Sequence, residues 1–350
     1  MRDADTDCWF PDACLSAAKI PINRGYRLFN MDNLFEQIRK TCRDVAASAS
    51  WVHINSDRIP AYAASLPVQT AISTELDPKC HYLGQEEKTV AFLLTLDTIN
   101  FGSGYFPHLH KRPGMSGYFS IASSLNDVYN NQGYFSAKEL DNITVKKCTR
   151  IFGQDPANKI IQELMQHFAA ALKDLGRYLL DCFDGEFTAL VEAAQSSAGR
   201  LVQLLKKMPY FNDVGVYNGI EVPFYKRAQI TAADLKIAFK NRRWGQFNDL
   251  DHLTIFADNL VPHVLRMDGV LIYEKSLIDR IAAGTLIPAG SAEEMEIRAC
   301  ALHAVELLKK EILKSERIVN SPQLDYLLWN RGQQPHYKAV PRHRTRCVFY

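Results

Sequence analysis

Two aspartates sit where a carboxylate can do more than face water. Asp258 falls at the edge of an apolar stripe of Leu250, Leu253, Ala257, Leu260, Val261 and Val264, just ahead of Pro262. A side chain there is half wrapped in hydrocarbon, beside backbone groups that the proline frees. Asp325 lies just inside a helix announced by Ser321-Pro322, where the helix dipole favours the ionised acid. The chemistry open to such groups is electrostatic: a fixed negative charge held against a positive centre. Each also has a plain structural reading. Asp258 stabilises a helix break, and Asp325 is an ordinary helix-start residue. Lys226-Arg227 adds two adjacent cations, which diverge on a helix so that one alone faces a given pocket. His53, in the alternating run Trp51-Val52-His53-Ile54-Asn55, reads as a hydrogen-bonded core histidine or as a catalytic group.

Other site chemistries find no support. The eight cysteines are scattered, with no CxxC pair and no histidine at zinc spacing, so neither a metal centre nor a disulfide framework is expected. Gly102, Gly104 and Gly114 lack the lysine and hydroxyl of a phosphate loop. Lys plus Arg is 41 and Asp plus Glu is 39, a net charge of +2, which disfavours a protein that tracks nucleic acid but leaves a local phosphate pocket open. No uncharged apolar run reaches the roughly 18 residues of a membrane span, and the acidic start lacks a secretory signal. Reduced thiols in the cytoplasm are expected. Cys347-Val348-Phe349-Tyr350 outlines a prenylation box with an unsuitable last residue, so a docked tail is the preferred reading.

The elements that must position these residues are mostly helical. Residues 1–30 read as an irregular segment and 31–350 as one mainly α domain with at most short β segments. With 47% hydrophobic residues the chain can bury a sizeable core. A helix from Asp32 turns Leu34, Phe35, Ile38, Cys42 and Val45 inward. Others are expected over 86–101, where Asp97 and Asn100 share a face, then over 121–129, 158–180 and 186–208. Within the last of these, Ser197-Ala198-Gly199-Arg200 marks close packing or the approach of a ligand. Further helices follow the Pro223 stretch to about Asn241, run from an Asn248 cap toward Arg266 with a break at Pro262, and start at Ser291 from a capping box.

Several separated runs also resemble the queuosine salvage proteins, the queuosine 5′-phosphate N-glycosylases. They are Trp51-Val52-His53, Leu96-Asp97-Thr98-Ile99-Asn100-Phe101, Gly117-Tyr118-Phe119-Ser120, Tyr225-Lys226-Arg227-Ala228-Gln229-Ile230, Leu253-Thr254-Ile255-Phe256-Ala257-Asp258 and Asp325-Tyr326-Leu327-Leu328-Trp329, in that order. The resemblance runs from about residue 30 to the end. It implies a helical domain related to DNA glycosylases, without metal or organic cofactor. It implies hydrolysis of the N-glycosidic bond of queuosine 5′-phosphate, releasing queuine and ribose 5-phosphate. The partner is then a small molecule, and a monomer without direct nucleic-acid or membrane binding is expected. A non-catalytic queuine-binding protein and a nucleic-acid base glycosylase are the alternatives.

What the resemblance implies for residues is as follows. Asp325 stabilises the positive sugar ring or adds to it, and Asp258 binds the base or positions water, with exchange of the two roles left open. Phe256, Tyr326 and Trp329 stack on the base. His53 hydrogen-bonds the base or the cyclopentenediol, and Lys226 takes the phosphate. Asn259 and Asn330 complete the binding set. Both depart from the family pattern, which has Asp in place of Asn330 and Tyr-Arg after Phe-Ala-Asp. Asn330 can hydrogen-bond a diol but cannot pair with the ammonium of the substrate.

Overall fold

The buried centre of the molecule is the helix Glu87–Thr98, in which every residue from Thr89 to Thr98 is shut off from water. A helix apolar on all sides belongs inside a bundle. It packs against Lys226–Phe239, itself buried along most of its length, and against Gly117–Gln132 and Lys159–Cys182. A second long helix, Ala292–Lys314, organises the other half, touching Asp32–Ser48, Ile59–Ser65, Val261–Met267 and Ser321–Arg331. One continuous apolar cluster joins both halves. This computed structural model describes residues 32–69 and 75–350, so the expectation for residues 1–30 lies outside the described residues.

The domain is mainly α, as the sequence indicates. Among the described residues its β structure is two antiparallel pairs: Val52–Ile54 with Leu271–Tyr273, and Val214–Tyr217 with Ile220–Pro223. Local signals account for many helix starts. Asn158 accepts the Ile161 N–H, Ser136 forms a full capping box with Glu139, and Ser291 accepts the Glu294 N–H. Leu34, Phe35, Ile38, Cys42 and Val45 all point into the core.

Two expected helices are corrected. The span 186–208 is two helices, Phe187–Glu192 and Ala198–Leu205. Gln195 and Ser196 take left-handed backbone angles between them, and Ser197 caps the second helix. Asp249 accepts the Ala198 and Gly199 N–H groups at 2.6 and 3.0 Å, a cap supplied from far along the chain. The span 248–266 is not a helix capped by Asn248. It has one short turn, Leu250–His252, then extended chain, then the helix Val261–Met267. Pro262 starts that helix instead of breaking one.

Residues 253–257 are all buried, so each of their backbone polar groups needs a partner, and those partners are not the segment's own turns. Their backbone polar groups are satisfied by distant side chains instead. Gln229 Oε1 accepts the Thr254 N–H at 2.9 Å, Asp325 Oδ1 accepts the Phe256 N–H at 2.9 Å, and Arg298 Nε donates to the Ala257 carbonyl at 3.0 Å. Arg298 is anchored by Asp213 through two hydrogen bonds of 3.0 and 2.6 Å, both side chains being buried.

The tail also docks. Cys347 and Tyr350 are buried, and the Tyr350 carbonyl accepts the Gly102 N–H at 2.9 Å. Its arginines alternate with buried His343, Thr345 and Cys347, the pattern of an extended strand-like segment. Among the described residues no helix is long and apolar enough to cross a membrane.

Candidate active site

The extended segment 253–258 delivers Asp258 to the wall of a cavity of about 830 Å³, and the helix Ser321–Arg331 delivers Asp325 to the same cavity. Asp258 is half-buried. Its Oδ1 accepts the N–H groups of Leu260 and Val261 at 2.8 and 3.0 Å, which fix the carboxylate and satisfy the helix start behind it. Asp325 is buried, at 4% exposure. One of its oxygens is taken by the Phe256 N–H, two residues before Asp258. A single short segment thus carries one acid and grips the other.

The sequence expectation that the helix dipole keeps Asp325 ionised is overturned. Asn320 and Gln323 form the capping box, and Asp325 comes a turn later. Burial, reinforced by the negative charge of Asp258, raises its pKa well above the carboxylate range; the Phe256 N–H and Lys226 pull the other way without prevailing. Burial thus favours the protonated form of Asp325. Two carboxyls with diverging environments are how one site supplies a charged acid and a neutral one.

Lys226 reaches this cavity from the start of Lys226–Phe239, whose first turn is set by the left-handed Tyr225 and by Asp213, which accepts the Lys226 N–H at 3.1 Å. Burial lowers its pKa, and Asp258 is the leading charge that opposes the effect. Arg227 points away from the cavity, since adjacent helix positions diverge by about 100°. It donates to the carbonyls of Asp97, Thr98, Tyr210 and Val348 between the rings of Phe101 and Phe211.

Aromatic rings wall the space. Phe256 meets Tyr326 edge-on at 6.0 Å, and Trp329 meets Tyr118 and Phe119 at 6.3 and 6.0 Å. Asn259 and Asn330 also line the cavity, Asn330 at its exposed rim. His53 does not come to this site. It lies on an edge of the Val52–Ile54 pair, exposed, with Glu274 at 3.5 Å. The alternation that exposes it follows from strand geometry, because Val52 takes the inward position.

The structure adds residues that the sequence reading missed. Asp234 lines the cavity and follows Lys226 and Ile230 at four-residue spacing, the signal that places all three on one helix face. His81 joins Tyr118 through a 2.9 Å hydrogen bond, and burial lowers its pKa. Arg342 lines the cavity half-buried, and its guanidinium has no hydrogen-bond partner among the described residues. Burial lowers its pKa while Asp258 raises it. Among the described residues no cluster has the makings of a metal site. A cavity of this size, with convergent acids, cations and flat rings, fits a nucleotide-sized ligand.

Comparison with known proteins points one way. The family model described as queuosine salvage protein matches residues 80–350. The queuosine 5′-phosphate N-glycosylase/hydrolase of Sphaerobacter thermophilus is 34% identical over 89% of this chain and 96% of its own length. The protein of the same name from Dictyostelium discoideum is 32% identical over 75% of this chain and 79% of its own. That from Mus musculus is 30% identical over 89% and 96%.

Proposed function

The chain belongs to the queuosine salvage protein family, and from that premise we propose that it hydrolyses the N-glycosidic bond of queuosine 5′-phosphate, releasing queuine. The observation that carries the reading is the meeting of Asp258 and Asp325, remote in sequence, in one aromatic-walled cavity. Breaking the bond between C1′ and the base nitrogen builds positive charge on the ribose ring. Asp258, fixed by two backbone N–H groups, is the carboxylate suited to stabilise that charge or to add to C1′ before water completes the reaction. The exchange of roles left open by the sequence is therefore the arrangement favoured here.

Asp325 keeps its proton and offers it to the departing base, which must leave protonated; a proton from the attacking water then restores the acid. Water supplies hydroxyl to C1′ and hydrogen to the base, so the hydrolysis balances. Phe256 and Tyr326 flank the base. Lys226 sits among the acids as their counter-charge, so the phosphate falls to Arg342, which has free donors. The substrate is a free nucleotide: the cavity carries its own few cations and the chain has a net charge of only +2.

The test is to incubate the protein with queuosine, queuosine 5′-phosphate and GMP and to measure free base from each. Release from queuosine 5′-phosphate is expected. Tight binding of queuine without release of ribose 5-phosphate would instead identify a binding protein.

A further inference from the structure

The cavity holds a further buried carboxylate that bond cleavage leaves unused. Asp234 is 4% exposed and lines the cavity. Its Oδ1 accepts the Tyr326 hydroxyl at 2.8 Å. Its other oxygen has no hydrogen-bond partner among the described residues and is open to the cavity.

The groups facing Asp234 come from four helices. Lys226 lies on its own helix, Asp97 on Glu87–Thr98, Tyr326 on Ser321–Arg331 and Tyr118 on Gly117–Gln132. Asp97 is wholly buried and neither of its oxygens has a hydrogen-bond partner among the described residues. Thr231, beside it, gives its hydroxyl to the Arg227 carbonyl at 3.0 Å. Burial raises both acids, Asp234 to about 6, and the charge of Asp234 adds to the rise at Asp97, so of the two Asp97 is held more strongly toward its protonated form. Lys226, the cation that lowers Asp234, is drawn first by Asp258 and makes no ion pair with Asp234 among the described residues, so Asp234 only shares a cation with another acid. The rings of Tyr326 and Tyr118 stand around it, with Trp329 edge-on to Tyr118. A carboxylate with a free acceptor among aromatic faces is a seat for an ammonium group.

We propose that Asp234 takes the protonated secondary amine carried on the base of the substrate, and so selects a cationic base over a neutral one. This rests on the nucleotide reading above. It also gives a role to the departure at Asn330, which stands exposed at the rim and carries no charge.

The experiment compares wild type and Asp234→Asn on two substrates with the same scissile bond: queuosine 5′-phosphate and 7-deazaguanosine 5′-phosphate, which lacks the amine. Asparagine keeps an acceptor for Tyr326. A charged hydrogen bond of this kind is worth about 30-fold, so kcat/KM should fall by about that factor on the first substrate and by less than about threefold on the second. Equal losses on both would reduce Asp234 to a holder of Tyr326, and negligible losses on both would leave it no role; either overturns the proposal. Asp97→Asn, neutral for neutral, should keep the discrimination.

Dissociation constants for queuine and 7-deazaguanine, measured by calorimetry, report the same ratio without catalysis. A wild type that binds queuine yet cleaves nothing defeats the functional reading, while this ratio still decides the role of Asp234. Should Asp234→Asn not fold, the wild-type ratio itself decides. It must shrink as pH falls and Asp234, raised by burial, takes up a proton. A constant ratio from about pH 8 to about pH 5 overturns the proposal.

Discussion

Replacing Asp258 by asparagine tests which acid faces the reacting carbon. The carboxylate accepts two backbone N–H groups, and the asparagine carbonyl accepts the same two, so the helix start survives at a cost below about 1 kcal/mol. What disappears is one negative charge. About 4 Å from a developing positive charge, at an effective dielectric of about 20, it contributes about 4 kcal/mol. At about 1.4 kcal/mol per tenfold, kcat should drop by about three orders of magnitude. A second effect follows, because the charge of Asp258 adds to burial in raising Asp325. Without it Asp325 loses its proton at lower pH, and any residual activity should fade earlier on the alkaline side. Asp325→Asn is the control. It keeps the acceptor for the Phe256 N–H and loses an O–H donor, so a decrease of about 100- to 10,000-fold is expected. The assay is single-turnover release of base from queuosine 5′-phosphate across pH, with thermal unfolding to verify both variants. Asp258→Asn within tenfold of wild type, with Asp325→Asn inert, would refute the reasoning and restore the opposite assignment.

Three further outcomes are expected. Arg342→Ala should cost about 10- to 100-fold in kcat/KM for the nucleotide and little for the nucleoside; equal losses on both would remove Arg342 from the phosphate. Arg298→Ala should lower unfolding stability by about 3–5 kcal/mol in urea titrations, because it strands buried Asp213 and releases the Ala257 carbonyl; a loss under about 1 kcal/mol would deny it that role. Asp97→Asn should stabilise the fold increasingly as pH rises. The folded pKa of Asp97 is raised, so the folded state binds the extra proton. Its contribution is full below the unfolded pKa of about 4 and is lost at about 1.4 kcal/mol per pH unit as pH climbs toward the folded value. Thermal unfolding of both proteins at three pH values measures the divergence, and parallel curves would contradict it.

The helices legible in the sequence are those whose instructions are local. Lys159–Cys182 has its cap and its apolar stripe in one run, and Glu87–Thr98 is apolar enough to leave no other place for it. The segment 248–266 misleads because Leu253, Ala257 and Leu260 keep helical spacing while the backbone bonds that decide the matter come from Gln229, Arg298 and Asp325. The break at 193–197 likewise depends on Asp249. At the site, Asp258, Asp325, Lys226, Phe256, Tyr326 and Trp329 line one cavity. His53 lies elsewhere, since a histidine in a three-residue strand carries no sign of which side faces a ligand. Asp234 was readable from its spacing to Lys226. Arg342 was not, because the direction of an extended tail is set by the walls it meets.

The peptide N–H of Phe256 makes the two acids one unit. Any change that shifts residues 256–258 by a fraction of an ångström moves one carboxyl and loosens the other together. Substitutions at the two positions should therefore fail to multiply: once either is gone, the second costs much less than it does alone. An inheritance that loses one has little left to preserve in its companion, so the pair should persist or decay together.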